Sequence, residues 1–339
     1  MSNYLYGIHD PPPANVLSGK GWIVVTEKLG HDPSNKNGPR YAWPETVMAR
    51  LNHDYFPKGT IPRPDQLEGF VTRVRNFVAA SSGCRYWIVG NEPNHSQERP
   101  DGMPITPTYY AQVYQRCRAA IRALTGHESD VVITAAVAPW NMESGDWLAY
   151  LGEVLTYLGE GVDGIGLHAY THGAEPDLIG SDERRHDWLW HFRTYRDQIG
   201  VIPACLRGKP LYITESNQGG PWANANSGWV QAAYQEIDAW NQSGGQPIHC
   251  LALYRWGKYD QWAIDGKPGV LGDLHAAMSH GYVRPEAPPP LPPVPPLPPS
   301  LEERIRALEE RVGKLEGAIP DLRKDVGTAL GNAAASLLE

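Results

Sequence analysis

The chain has 339 residues, 41% of them hydrophobic, enough for one large core plus an appendage. Its formal net charge of -8 argues against a nucleic-acid partner, because phosphate binding needs clustered positive charge. The sequence has no run long and apolar enough for a membrane span, no charged-then-apolar leader and no C-x-x-C pair, so membrane insertion, a redox motif and a cysteine metal site are not expected.

Aromatic usage is lopsided, with 12 Trp and 17 Tyr against 4 Phe. Rings with a flat apolar face and a polar edge suit stacking on sugars, although any single one of them can equally fill a core. The first strand begins almost at the first residue, and the location predicted from this start is cytoplasmic, or released without a visible signal peptide.

Short apolar runs predict eight strands: Leu5–His9, Trp22–Thr26, Val47–Asn52, Tyr86–Asn91, Val131–Ala136, Gly164–His168, Leu211–Thr214 and Leu251–Trp256. Amphipathic stretches between them predict helices over Pro64–Ala80, Thr106–Leu124, Asp146–Leu158, Asp182–Gln198 and Ser227–Gln242. Asp10 to Gly21 has room for only a short helix, and His31 to Glu45 is loop-like. Strands alternating with helices imply parallel pairing, and eight such units in residues 1–284 fit a (β/α)8 TIM barrel, an α/β fold. An open doubly wound sheet ranks below it, because no glycine-rich phosphate loop follows the first strand.

The composition changes abruptly near residue 285. Residues 285–300 are proline-rich and predict an extended polyproline linker. Beyond it, in residues 301–339, Leu301, Leu308, Leu315 and Leu322 alternate with Ile305, Val312, Ile319 and Val326 at steps of four and three, a C-terminal coiled-coil helix by pattern. Arg304 with Glu309 and Arg311 with Glu316 have the spacing of pairs between neighbouring chains. Self-association as a dimer or a trimer is therefore expected, with Pro320 as a kink.

Two glutamates close two of the apolar runs. Glu92 ends Tyr86-Trp87-Ile88-Val89-Gly90-Asn91-Glu92-Pro93, and Glu215 ends Leu211-Tyr212-Ile213-Thr214-Glu215. Two carboxyls at the carboxyl ends of parallel strands are what double-displacement cleavage of a glycosidic bond requires, roughly 5–5.5 Å apart for retention. The residue before a proline is biased to extended backbone, so Glu92 should stay extended at its strand tip. Arg50, near the end of the third strand, could hold Glu215 ionised.

Asn91-Glu92-Pro93 after the fourth strand and Ile213-Thr214-Glu215 after the seventh resemble the paired signatures of the clan A glycoside hydrolases, retaining enzymes on (β/α)8 barrels. The resemblance implies Glu92 as acid/base and Glu215 as nucleophile, a carbohydrate substrate, and no cofactor or metal. It further implies that Asn91 meets the sugar 2-hydroxyl, that His168 or Tyr170 contacts the nucleophile, and that Trp256 lies under the sugar. Trp140 and Asn141 after the fifth strand, and Trp222 in the loop after the seventh, are further candidates for substrate binding. Two other functions compete with this one: a barrel that binds carbohydrate multivalently without cleaving it, and a metal-dependent hydrolase hinted at only by His9-Asp10.

Overall fold

The computed structural model describes residues 2–285 and, in the tail, residues 324, 326–328 and 330. Those five tail residues are helical, with the Thr328 hydroxyl donating to the Lys324 carbonyl at 2.9 Å. The polyproline linker beyond Pro285 and the other heptad positions lie outside the described residues.

Eight parallel strands form one sheet: β1 (Tyr6–His9), β2 (Trp22–Lys28), β3 (Thr46–Asn52), β4 (Cys84–Val89), β5 (Val131–Thr134), β6 (Ile165–His168), β7 (Leu211–Ser216) and β8 (Ile248–Leu253). Strand β1 pairs with both β2 and β8, β2 to β5 pair in succession, and β8 continues through β7 to β6. A parallel bridge between Ile133 and Gly164, with the Thr134 N–H donating to the Gly164 carbonyl at 3.1 Å, joins β5 to β6 and closes the ring. The (β/α)8 barrel expected from the eight apolar runs is the fold observed.

Alternation along the strands sorts their side chains. Val47, Ala49, Trp87, Val89, Leu167 and Ile213 point outward into the core beneath the helices. Trp22, Met48, Tyr86, Tyr212 and Cys250 point inward and plug the barrel, with the Trp22, Tyr86 and Tyr212 rings edge to face at centroid distances of 5.1, 5.9 and 6.1 Å. One step of two residues above Met48, the same inward face carries Arg50. The largely apolar plug forms the floor beneath the polar side chains at the carboxyl ends of the strands.

Helix α1 (Ala14–Leu17) is the short helix that the first connection has room for, and no helix forms between His31 and Glu45. Helices α2 (Leu67–Ala80), α3 (Pro107–Arg122) and α4 (Trp147–Leu158) fall inside their predicted spans. Thr106 caps α3 through the Tyr109 N–H, and Asp146 caps α4 through the Leu148 and Ala149 N–H groups.

The helix expected over Asp182–Gln198 is only α5 (Thr194–Gly200). Residues before it form a small antiparallel hairpin, Arg184–Arg185 with Trp188–Leu189. Its two-residue turn, His186-Asp187, holds φ of 50° and 69°, the paired left-handed geometry that suits a tight hairpin and that a helix forbids. After α6 (Trp229–Gln242) comes α7 (Pro268–Ser279), a helix the apolar pattern did not predict. Gly269 and Gly272 thin its apolar stripe, although Pro268 stands at its first position, where proline belongs.

Candidate active site

A cleft of about 970 Å³ opens at the carboxyl ends of the strands, and Glu92 and Glu215 both line it. Local backbone geometry brings each of them there. On β7 the pairing slips: Leu167 faces Ile213, but His168 faces Glu215. That bulge reverses the alternation, so Glu215 turns into the barrel although Ile213 points out of it. On β4 the chain leaves the sheet at Gly90, φ 76°, where a Cβ would strike Ile61. Glu92 is not extended as its proline neighbour suggested: its φ is 31°, and the His95 N–H closes a turn onto its carbonyl at 2.8 Å. Asp10 and Trp140, with φ of 65° and 59°, also line the cleft, so strained backbone gathers around it.

Glu215 is nearly enclosed, and donors surround it. The Arg50 guanidinium donates to Oε1 at 2.5 Å, the Tyr170 hydroxyl donates to Oε2 at 3.0 Å, and His168 Nε2 stands 3.9 Å away. Burial alone would raise the Glu215 carboxyl, but His168, Arg50 and His9 together hold it well below the usual carboxylate range. Arg50 is buried as well, and the facing carboxylate more than offsets that burial, so its charge is secured. Burial, with the Glu215 and Glu92 charges, pushes the Tyr170 phenol far above its ordinary value and keeps it a donor.

His168 joins the two halves. It is fully buried, with Nδ1 2.7 Å from Glu92 Oε1 and Nε2 3.1 Å from the Thr214 hydroxyl. Gln198 on α5 fixes the His168 backbone by donating to its carbonyl at 2.8 Å. Contacts of 2.7 Å from Glu92 to His168, 3.1 Å from His168 to Tyr170 and 3.0 Å from Tyr170 to Glu215 link the carboxyls end to end. Their nearest oxygens therefore stand no more than about 9 Å apart, below the upper limit of about 9.5 Å for paired carboxyls that act on one glycosidic bond.

Other candidates divide between cleft and core. Asn91 lines the cleft, with its Nδ2 donating to Glu98 Oε1 at 3.0 Å. Trp140 lines it too, tied through its indole N–H to the Leu189 carbonyl at 2.9 Å and packed beside His172, whose ring stacks on Trp190 at 3.9 Å. Asn141 instead turns to Glu143, its Nδ2 donating at 2.9 Å. Trp222 is buried, its indole N–H donating to the Tyr254 carbonyl at 2.7 Å and its ring set edge-on to Trp229. Trp256 packs against the outer core. Beyond β8, Tyr254, Tyr259 and Trp262 line the cleft.

Several groups at the site had no sequence signal. Glu98 lines the cleft, and burial together with the neighbouring Glu92 charge pushes its carboxyl up to about 7. Asp10, with His9 the hint of a metal, is gripped by Arg255 through bonds of 2.6 and 3.0 Å, and Arg255 also reaches Asp260 at 3.1 Å. Among the described residues no group of three or more His, Cys, Asp or Glu side chains is placed to hold a metal ion. Asn94 clamps the loop after β4 to the loop after β5, exchanging bonds of 2.9 and 2.8 Å with the Ala138 backbone.

No family model matches the chain, and no curated protein matches it. Among solved structures it is similar to the hyperthermostable endo-1,4-β-D-mannanase from Thermotoga petrophila, with a TM-score of 0.52 and 12% identity over 81% of this chain and 99% of that one. It is also similar to the endo-1,4-β-mannanase from Rhizomucor miehei, with a TM-score of 0.48 and 10% identity over 81% of this chain and 95% of that one. A GH128 endo-β-1,3-glucanase from Amycolatopsis mediterranei aligns with a TM-score of 0.45 and 13% identity over 80% of this chain and 98% of that one. At such identities the likeness is one of fold.

Proposed function

We propose that the protein is a retaining glycoside hydrolase that cleaves β-linked glycosides or oligosaccharides, with Glu215 as nucleophile and Glu92 as acid/base. The observation that carries this reading is one cleft in which an enclosed carboxylate, hydrogen-bonded by Arg50 and Tyr170 and held ionised by His168, Arg50 and His9, is joined through His168 to a second carboxyl that is partly exposed. A nucleophile must stay ionised while buried, and donors on both oxygens supply that condition. An acid/base must reach both the leaving group and water, and the open edge around Glu92 suits that task.

In the first step a Glu215 oxygen attacks the anomeric carbon as the bond to the leaving oxygen breaks, and the Glu92 proton passes to that oxygen. The product is a glycosyl ester on Glu215. In the second step Glu92, now a carboxylate, takes a proton from water, whose oxygen attacks the same carbon. The ester bond breaks, and both carboxyls return to their starting states. No cofactor enters either step.

Aromatic walls flank the carboxyl pair, with Trp140 and His172 after β5 and β6 and with Tyr254, Tyr259 and Trp262 after β8. Walls on both sides support an oligomeric substrate threaded across the scissile bond. The test is turnover on aryl β-glycosides and β-linked oligosaccharides, mannan fragments among them. Glu215→Ala should lose nearly all activity. Glu92→Ala should fall about 10²–10⁴-fold on poor leaving groups yet still form the ester from an activated aryl glycoside. Binding of the sugars without turnover by the unaltered protein would sink the hydrolytic reading.

A further inference from the structure

Tyr259, in the loop after β8, lines the cleft and is 77% exposed, more open than any other aromatic ring there. A tyrosine so exposed ordinarily samples several rotamers, and fixing one of them on a ligand would cost that freedom. This ring is already held. The Arg255 guanidinium stands over it, 4.7 Å from its centroid, within the roughly 6 Å of a cation–π contact. Arg255 is itself fixed, by Asp10 at Nε and Nη2 (2.6 and 3.0 Å) and by Asp260 at Nη1 (3.1 Å). Asp260 also accepts the Trp262 N–H at 2.9 Å, and the Arg255 N–H donates to the Trp262 carbonyl at 3.2 Å, so the loop that carries Tyr259 is stitched across its base.

Gly257 gives the ring its second support. A Cβ at that position would strike the Tyr259 ring at Cδ2 and Cε2, so the ring lies directly against the glycine backbone. Gly257 is not among the glycines with positive φ, so its conformation does not call for glycine; the close approach of the ring does. The next atom that a Cβ would meet is Asp10 Oδ2 at 3.2 Å, so the ring and not the carboxylate would have to give way. The Tyr259 hydroxyl has no hydrogen-bond partner among the described residues, and what the side chain offers the cleft is its flat apolar surface.

We propose that Tyr259 is a specificity-determining residue, a fixed ring on which one unit of an oligosaccharide stacks on the β8 side of the carboxyl pair, and that Gly257 is the positioning residue that seats it. A ring immobilised beforehand gives up no rotamer freedom on binding, which is what separates a platform from an ordinary exposed side chain. The C–H face of a sugar ring is the surface that fits it. That the ligand is a sugar rests on the glycosidase reading; the seating of the ring on Gly257 does not.

The experiment is a double-mutant cycle in the full chain on Gly257→Ala and Tyr259→Ala, with Tyr259→Phe as the conservative variant. The probes are the hexaoses of β-1,4-mannose, β-1,4-glucose and β-1,3-glucose, read as KM where the sugar is cleaved and as Kd by calorimetry where it is not. Tyr259→Ala should raise that constant for the best-bound hexaose about 3–10-fold, with kcat little changed, and Tyr259→Phe should keep it at the wild-type value. Gly257→Ala, whose methyl drives the ring off its seat, should weaken binding to the same extent and add nothing in the Tyr259→Ala background. If Gly257→Ala alone does not fold, recovery of folding in the double variant, where the methyl has room, supports the seating, and failure of the double variant as well overturns it. A wild-type constant in Tyr259→Ala, or losses that add in the double variant, overturns the proposal. Binding that obeys the cycle without any cleavage supports the platform and overturns the hydrolytic reading alone, whereas a protein that binds none of the three hexaoses overturns both.

Discussion

Arg50 Nη1 donates to Glu215 Oε1 at 2.5 Å across the barrel from β3 to β7, and both side chains are almost wholly buried. The other two guanidinium nitrogens, Nε and Nη2, have no hydrogen-bond partner among the described residues, and this carboxylate is the anion bonded to the buried cation. Removing one member of such a pair leaves the other charge stranded. Arg50→Met should therefore cost about 3–5 kcal/mol in urea unfolding at neutral pH. The Glu215 carboxyl is lowered in the fold, so the stability it adds is fully present above its unfolded value of 4.5 and drains away as pH falls toward its folded value. Wild type should lose more stability on acidification than Arg50→Met, in which only His168 and His9 still favour the carboxylate. Parallel loss in both would show that the pair is not its source.

Tyr170 reaches the other Glu215 oxygen at 3.0 Å. A hydrogen bond to a charged group is worth about 1.5–3 kcal/mol, so Tyr170→Phe should lower kcat about 10–10²-fold by weakening control of the nucleophile. The phenol is pushed far above its ordinary value, first by burial and then by Glu215, so it stays protonated through the working range. The alkaline limb of the kcat profile should consequently survive in Tyr170→Phe. Disappearance of that limb would assign it to the tyrosine and contradict the environment described here.

The strands and their carboxyl ends were legible because a barrel strand is buried on both faces and reads as an apolar run, and the first acid after such a run stands out. Glu92 and Glu215 were found in that way. The β7 bulge was invisible, yet it alone turns Glu215 inward, since strict alternation would have sent it out behind Ile213. Glu98 was missed because a loop contact fixes it, from Thr60 far back in the chain. Trp222 misled for the opposite reason: an exposed-looking Gly-Pro-Trp loop folds its indole under the β8 tip, where a carbonyl satisfies the ring N–H. The stretch from Asp182 to Gln198 has a helix-like spacing of apolar residues, but paired left-handed residues at His186 and Asp187 break it.

Trp140 stands on the β5 side of the carboxyl pair and Trp262 on the β8 side. If the chain of sugars crosses both, each substitution should matter only when the substrate reaches that side. Trp140→Ala and Trp262→Ala should each reduce kcat/KM for long oligosaccharides about 3–10-fold, by loss of about 0.5–1.5 kcal/mol of ring contact, and leave a short aryl glycoside that fills the opposite side nearly unaffected. A comparison of kcat/KM against substrate length in the two variants checks this. Equal losses on every length would point to damage at the carboxyl pair rather than to separate sugar sites.

The tail poses a separable question. Residues 2–285 close a barrel with its own core and form one compact unit of the chain. The leucine and β-branched heptad of residues 301–339 predicts association of two or three chains through the tail alone. Truncation after Pro285 should then yield a monomer by light scattering, with kcat and KM on soluble glycosides unchanged per site. On an insoluble polysaccharide the full chain should be retained far longer, because linked sites rebind at high effective concentration. A full-length protein of monomer mass would remove both expectations at once, while a truncated protein that still assembles would move the interface onto the barrel.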